Sequence, residues 1–297
     1  MWKKILAVLF GVVIGYWFYD DFDPGKLKGK RVVITGASAG IGEQIAYHYA
    51  RFGANVLVTA RRGSVLQEVV KKCREVGTPQ GRYEYVIADM SNLTSTQYVI
   101  REAVRLLGGI DILVLNHIMA FPLGEWLGSH ENLTQFSKIM DINFRAYVHL
   151  SSHAQTHLEK SHGSIVVVSS YAGKIAVPFV APYVASKFAL DGFFSTLRQE
   201  LRLRNCDISV TLCVIGLVGT ESALNQLRVF GQNFLLSTLY IASPTDTALA
   251  IVKGGARRSR EMYYPYMEVR LPYLLRDWLP DVIEAITRYM NTPSHYR

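Results

Sequence analysis

Cysteine is scarce in this 297-residue chain. There are three, Cys73, Cys206 and Cys213, and no C-x-x-C pair. That argues against a disulfide framework and against a zinc ribbon. Charge is sparse at 19% of residues, against 49% hydrophobic, which excludes disordered, collagenous and coiled-coil chains. Repeats, low-complexity tracts and interdomain linkers are also missing. What charge there is leans one way: 32 basic minus 24 acidic residues gives +8. Such a balance suits phosphate on a nucleotide, a lipid headgroup or nucleic acid. The length allows a large core without metal or disulfide support.

The positive mean hydropathy, +0.14, traces to the N-terminus. Lys3 and Lys4 precede an uncharged run, Ile5–Tyr19, that closes on Tyr16-Trp17-Phe18-Tyr19 and is followed by Asp20, Asp21 and Asp23. At about 1.5 Å per residue, Met1–Tyr19 just spans a bilayer core if the lysines snorkel. A cleaved signal peptide would end in a small-x-small site, and a buried core helix would not be cut off by acids and Pro24-Gly25. An aromatic belt at a membrane interface suits the cluster best. The expectation is a signal anchor and stalk over residues 1–28, cytoplasmic at its N-terminus, with residues 29–297 in the lumen. Secretion is the alternative if the segment is cleaved. Two sequons, Asn92-Leu-Thr94 and Asn132-Leu-Thr134, are compatible with that placement.

Beyond residue 30, short Val/Ile/Leu-rich runs alternate with longer amphipathic stretches. Strands are expected at 31–35, 55–59, 83–88, 111–115, 164–169 and 207–214. Helices are expected at 40–52, 64–76, 94–107, within 132–159 and at 183–204. This alternation predicts an α/β, doubly wound, mainly parallel, Rossmann-like sheet with helices on both faces and a ligand at the carboxyl ends of its strands.

The polar features fall at those ends. After the first strand comes Gly36-Ala37-Ser38-Ala39-Gly40-Ile41-Gly42, a glycine turn opening a helix, suited to close approach of backbone amides to a pyrophosphate. Its G-x-x-x-G-x-G spacing differs from the general dinucleotide fingerprint. The second strand lacks a terminal acid to bind a ribose hydroxyl; Arg61 and Arg62 stand there instead and suit a 2′-phosphate, so NADP(H) is the expected cofactor. Asp89, beside Met90, is placed to reach the adenine amino group. Tyr183 and Lys187 lie at i and i+4 on one helix face, thirteen residues beyond Ser170. A lysine ammonium beside a phenol lowers its pKa and makes it an acid or base near neutrality. Ser170 would bond the reacting oxygen, and Asn143 would anchor a relay water.

Together, Thr35 through Gly42, Asn116-His117-Ile118, Asn143, Ser170, Tyr183 and Lys187 resemble the short-chain dehydrogenase/reductase family over about residues 29–255. Within it, the anchor, Asn116-His117-Ile118 where many relatives carry Asn-Ala-Gly, and Ser186–Phe194 resemble the 11-beta-hydroxysteroid dehydrogenase type 1 group. The resemblance implies hydride transfer between NADP(H) and a steroid C11 hydroxyl or ketone in a homodimer at the endoplasmic reticulum membrane. Tyr183 would be the acid/base, Lys187 its tuner and ribose ligand, Ser170 the substrate orienter, and Asn143 part of the relay. Asn116–Ile118 would line the cofactor, and Val218, Gly219, Thr220, Glu221 and Ser222 would hold its nicotinamide end. Val177 and Leu217 would meet the substrate, with Leu224, Leu227 and Phe230 in a covering segment. Two departures bear on this: Ala39 replaces a lysine inside the glycine turn, and Val177 stands where an aromatic residue is found. Another apolar alcohol or carbonyl substrate, and a low-turnover nucleotide-binding scaffold, are the alternatives.

His149, His153 and His157 have ligand-like spacing but no accompanying acid or cysteine, so no metal is expected. The tail from Arg257 mixes arginines with tyrosines. It carries no nucleic-acid motif, which leaves a membrane surface, a dimer contact or a solvated subdomain.

Overall fold

A computed structural model describes Trp2, residues 21–119 and residues 123–293. The expected anchor falls almost wholly outside the described residues. Among the described residues no helix is long and apolar enough to cross a membrane.

Seven parallel strands form one sheet: β1 (Arg31–Thr35), β2 (Asn55–Ala60), β3 (Tyr83–Ile87), β4 (Ile112–Leu115), β5 (Ser164–Val168), β6 (Ser209–Ile215) and β7 (Glu261–Tyr264). Their order is β3-β2-β1-β4-β5-β6-β7. The strand order reverses between β1 and β4, which opens a crevice at their carboxyl ends. In-register pairing of Ile34 with Val114, and of Val114 with Val166, brings those ends to one level.

The central strands are almost wholly apolar and buried because both faces are covered. Side chains alternate across the sheet: Val32 and Ile34 enter one core, and Val33 enters the other. The first core lies beneath α1 (Gly40–Arg51), α2 (Gly63–Val76) and the later Pro244–Ala256 helix. The second lies beneath α3 (Thr94–Leu107), α5 (Ala146–Lys160) and α6 (Ala181–Leu203). Ahead of α5 runs α4 (His130–Met140), started by a reciprocal capping box between Ser129 and Asn132.

Three regions depart from expectation. The single helix expected within 132–159 is interrupted by a π turn, Asp141–Arg145, where the Ala146 amide donates to the Asp141 carbonyl. The covering segment forms two short helices, α7 (Glu221–Val229) and α8 (Asn233–Thr238). The first has no buried residue, so it lies on the molecule and does not build its core. After α9 (Pro244–Ala256), the tail adds β7 and then α10 (Tyr266–Leu275) and α11 (Pro280–Asn291).

Candidate active site

The glycine turn is shaped for close backbone approach. Gly36 and Gly40 adopt φ of 66° and 60°, a region that disfavours side chains. A Cβ on Gly36 would lie 2.6 Å from the His117 Cα, and one on Gly42 would lie 2.4 Å from the Gly36 carbonyl oxygen and the Asn116 Nδ2. Across the crevice, a Cβ on Gly40 would meet the Thr220 Cγ2 at 3.0 Å. Ala39 caps α1 with no side-chain hydrogen bond, so the first helical amides are not taken by a capping side chain. Ala37 is buried and Ile41 partly so. Arg62 reaches back over the turn, its Nη2 3.2 Å from both the carbonyl and the hydroxyl oxygen of Ser38. Arg61 is exposed beside it. At the third strand end Asp89 is exposed and accepts the Ser91 amide at 2.9 Å, while Met90 is buried. A cradle that a Cβ would fill, a helix N-terminus and two arginines fit a dinucleotide phosphate.

Asn116 serves the turn itself. Its Nδ2 donates to the carbonyls of Thr35 and Gly36, each at 3.2 Å. Ile118 is exposed, but the His117 ring turns into the protein. Its Nδ1 lies 2.8 Å from the Thr35 Oγ1 and its Nε2 lies 3.0 Å from the Ile142 carbonyl. The expected cofactor-lining role therefore does not describe the His117 side chain.

At the end of β5, Ser170 caps a 3-10 turn, Tyr171–Gly173, by accepting the Ala172 amide at 3.2 Å. Ser170 acts on the Tyr183 phenol and favours its ionised form. The i,i+4 spacing on α6 places Lys187 beneath, its Nζ donating to the Val168 carbonyl at 3.0 Å and lying 5.6 Å from the ring centres of both Tyr183 and Tyr147. Close packing enforces this: a Cβ on Gly173 would sit 2.9 Å from the Ser169 Oγ and 3.0 Å from the Lys187 carbonyl. Asn143, fully buried on the π turn, accepts the Met119 amide at 2.8 Å, and its Nδ2 lies 3.5 Å from the Ser186 Oγ. Ser186 in turn donates to the Tyr183 carbonyl. The structure thus gathers Ser170, Tyr183 and Lys187 and links Asn143 to them through α6.

The electrostatics differ from the simple expectation. Burial pushes the Tyr183 phenol above its ordinary value, and Ser170 offsets part of that. Burial alone pulls Lys187 down to about 7. Each group is thus driven toward its neutral form, and the lysine is poised to gain or lose a proton near neutrality.

Val218 is buried and pairs with Ala242 in an isolated bridge, and Gly219 donates to the Ala242 carbonyl. Thr220 caps α7 by accepting the Ala223 amide at 3.3 Å, leaving Glu221 and Ser222 exposed. Val177, Leu217, Leu224, Leu227 and Phe230 are partly buried. A cavity of about 210 Å³ opens between Leu123, Trp126, Ile139, Phe179 and Pro182. Phe179 escaped the sequence reading, which stopped at Val177. It sits at a positive φ of 67°, its ring 5.2 Å from that of Phe230.

A second missed feature lies behind the serine turn. Lys174 is buried and paired with Asp191 at 2.6 Å and Glu261 at 3.0 Å. Arg270 donates to the Tyr263 hydroxyl and stacks on the Tyr263 and Tyr273 rings, while Arg276 donates to the Lys174 carbonyl. Arg257 pairs with Asp21, and Arg258 with Asp207. Many of the tail arginines thus hold partners within the protein. His149 and His153 stack edge to face. Among the described residues no His/Cys/Asp/Glu cluster could hold a metal.

Residues 30–228 match the short chain dehydrogenase family, and the chain belongs to it: an oxidoreductase fold whose members use a nicotinamide dinucleotide. The particular relatives carry a narrower name. The hydroxysteroid 11-beta-dehydrogenase 1-like protein of Gallus gallus is 50% identical over 256 residues, covering 86% of this chain and 85% of that one. Its namesake in Xenopus tropicalis is 46% identical, covering 94% and 93% of the two chains. Among solved structures, a short-chain type dehydrogenase/reductase from Mycobacterium marinum superposes with a TM-score of 0.70 at 26% identity, over 80% of this chain and 94% of that one.

Proposed function

We propose that the chain is an NADP(H)-dependent oxidoreductase that interconverts a hydroxyl and a ketone, at C11 of a cortisol/cortisone-like steroid. The buried Lys187, its Nζ 5.6 Å from the Tyr183 ring centre and held by the Val168 carbonyl beside Ser170, carries this reading. A bound NADP(H) supplies or accepts the hydride. The turn Gly36–Gly42 holds its pyrophosphate, Arg61 and Arg62 its 2′-phosphate, Asp89 and Met90 its adenine end, and Val218–Ser222 its nicotinamide end. Ser170 orients the substrate oxygen. Tyr183 gives it a proton in reduction and takes one in oxidation. Lys187 in its ammonium form stabilises the phenolate, and Asn143 belongs to the proton path. Val177, Leu217 and Phe179 bound the apolar substrate space.

The names of the relatives favour a steroid. Val177, without the aromatic ring expected near it, favours a differently shaped pocket and hence another apolar alcohol or carbonyl as the second reading. Anchoring in the endoplasmic reticulum membrane with the body in the lumen rests on residues 1–28. Exposed Met267, Leu271, Leu274 and Trp278 on and after α10 support membrane contact. Homodimer formation through the long-helix face, with its half-buried His149, His153 and His157, completes the reading.

NADP-linked turnover of cortisol and cortisone, run beside a panel of other apolar alcohols and carbonyls, tests it. Steroid turnover is expected; turnover of the panel alone would replace the steroid with the second reading. Protease treatment of intact microsomes should spare everything after the anchor, and digestion of the body would refute lumenal placement.

A further inference from the structure

We propose that His117 is a positioning residue: a neutral imidazole strut that holds the π turn bearing Asn143 against the end of β1. This rests on the oxidoreductase reading above. The imidazole has no open side. A carbonyl can only accept, so the contact with the Ile142 oxygen at 3.0 Å requires the proton on Nε2. Nδ1 is then the acceptor, and the hydroxyl proton of Thr35, 2.8 Å away, points to it. The other candidate for that proton, the Val114 carbonyl, is farther at 3.3 Å. The lone pairs of Thr35 take the amides of Asn116 at 3.0 Å and His117 at 3.4 Å, so the hydroxyl is fully used.

The His117 backbone is fixed as well. The Tyr147 hydroxyl donates to its carbonyl at 2.7 Å, and the two rings lie 4.6 Å apart. Two residues on, the Met119 amide donates to the Asn143 Oδ1 at 2.8 Å. Residues 117–119 are thus stapled to 142–143 twice, once by the imidazole and once by the amide. Alanine, the residue many relatives carry at this place, would leave only the second staple. Burial, reinforced by nearby Lys187, holds the imidazole neutral, its pKa lowered to about 3, and the Ile142 and Thr35 contacts set its tautomer. A π turn is a local widening without the regular helical register. Its geometry depends on what grips it, and small displacements at a reacting centre are costly in rate.

The test compares His117→Ala and His117→Gln with the wild type. Losing the strut should lower kcat about tenfold or more, as misplacement of a reacting group does, with KM for NADP(H) little changed. Hydrogen exchange at amides 143–147 should quicken in His117→Ala. Glutamine, which keeps a donor for the Ile142 carbonyl, should restore part of kcat. The ¹⁵N spectrum of wild-type His117 should show the Nε2-protonated tautomer. A raised nucleotide KM with unchanged kcat would make His117 a cofactor wall and overturn the proposal. So would unaltered kcat and exchange in His117→Ala, or an Nδ1-protonated ring. If His117→Ala does not fold, the tautomer and His117→Gln decide. Exchange and tautomer do not depend on turnover, so they separate failure of the strut from failure of the oxidoreductase reading.

Discussion

Two lysines thirteen residues apart in sequence, Lys174 and Lys187, are both buried, at 5% and 1% exposure, yet their surroundings are opposite. Lys174 sits behind the serine turn with Asp191 and Glu261 on its ammonium. Burial works against its charge, but those two carboxylates outweigh burial and raise its pKa. Lys187 sits under the crevice with a carbonyl and two aromatic rings for company, and burial brings it down to about 7. A buried charge with counter-charges pins elements together; one without them is retained at a cost in stability and marks chemistry. The first joins β7 and α6 to the serine turn. The second faces the phenol that would move a proton.

The largest expected effect falls on the unpaired lysine. Lys187→Met should lower turnover by about 10²–10⁴-fold, the range associated with general acid–base catalysis, without loss of melting temperature. Lys174→Met should do the converse. It leaves Asp191 and Glu261 without their cation and should cost about 3 kcal/mol of stability, the low end for a broken buried pair because both acids remain partly solvated. Loss of turnover in Lys174→Met without loss of stability would erase the distinction.

The pH dependence of stability should separate the two with opposite signs. The folded pKa of Lys187 lies below its unfolded value of about 10.4, so the unfolded chain holds a proton that the folded one has shed between about 7 and 10. Its contribution to stability therefore rises with pH across that window, and Lys187→Met should remove the rise. The raised folded pKa of Lys174 makes its contribution complete below the unfolded value and lost as pH climbs through the folded one. Urea denaturation from pH 7 to 10 reads the Lys187 rise, over which the Lys174 contribution stays flat, and its extension above about pH 10.4 reads the Lys174 loss.

A smaller effect is expected at the cofactor end. Arg61→Ala with Arg62→Ala should reduce the preference for NADP over NAD by roughly ten- to a hundredfold, the worth of one or two hydrogen bonds to a charged group. Unchanged preference in paired kcat/KM measurements would sink the 2′-phosphate assignment.

The same contrast explains what the sequence made legible. β1, the glycine turn and the Tyr183–Lys187 pair are local patterns, and the strand expected at 31–35 and the helix expected at 94–107 match β1 and α3 at both ends. The Lys174 cluster joins residues 17 and 87 positions apart, a distance that no spacing rule reaches. β7 is four residues long and hides in a basic, aromatic stretch. The π turn, Asp-Ile-Asn-Phe-Arg, carries no breaker to betray it within a helical pattern. His117 was singled out as a motif residue, but its inward turn depends on Ile142, 25 positions away.

The role of the phenol is tested most directly by turnover of Tyr183→Phe, with NADP(H) binding and melting measured on the same preparation. Loss of about 10²–10⁴-fold in kcat with binding and melting intact is expected for a proton-transferring tyrosine. A phenylalanine variant as active as the wild type would contradict it.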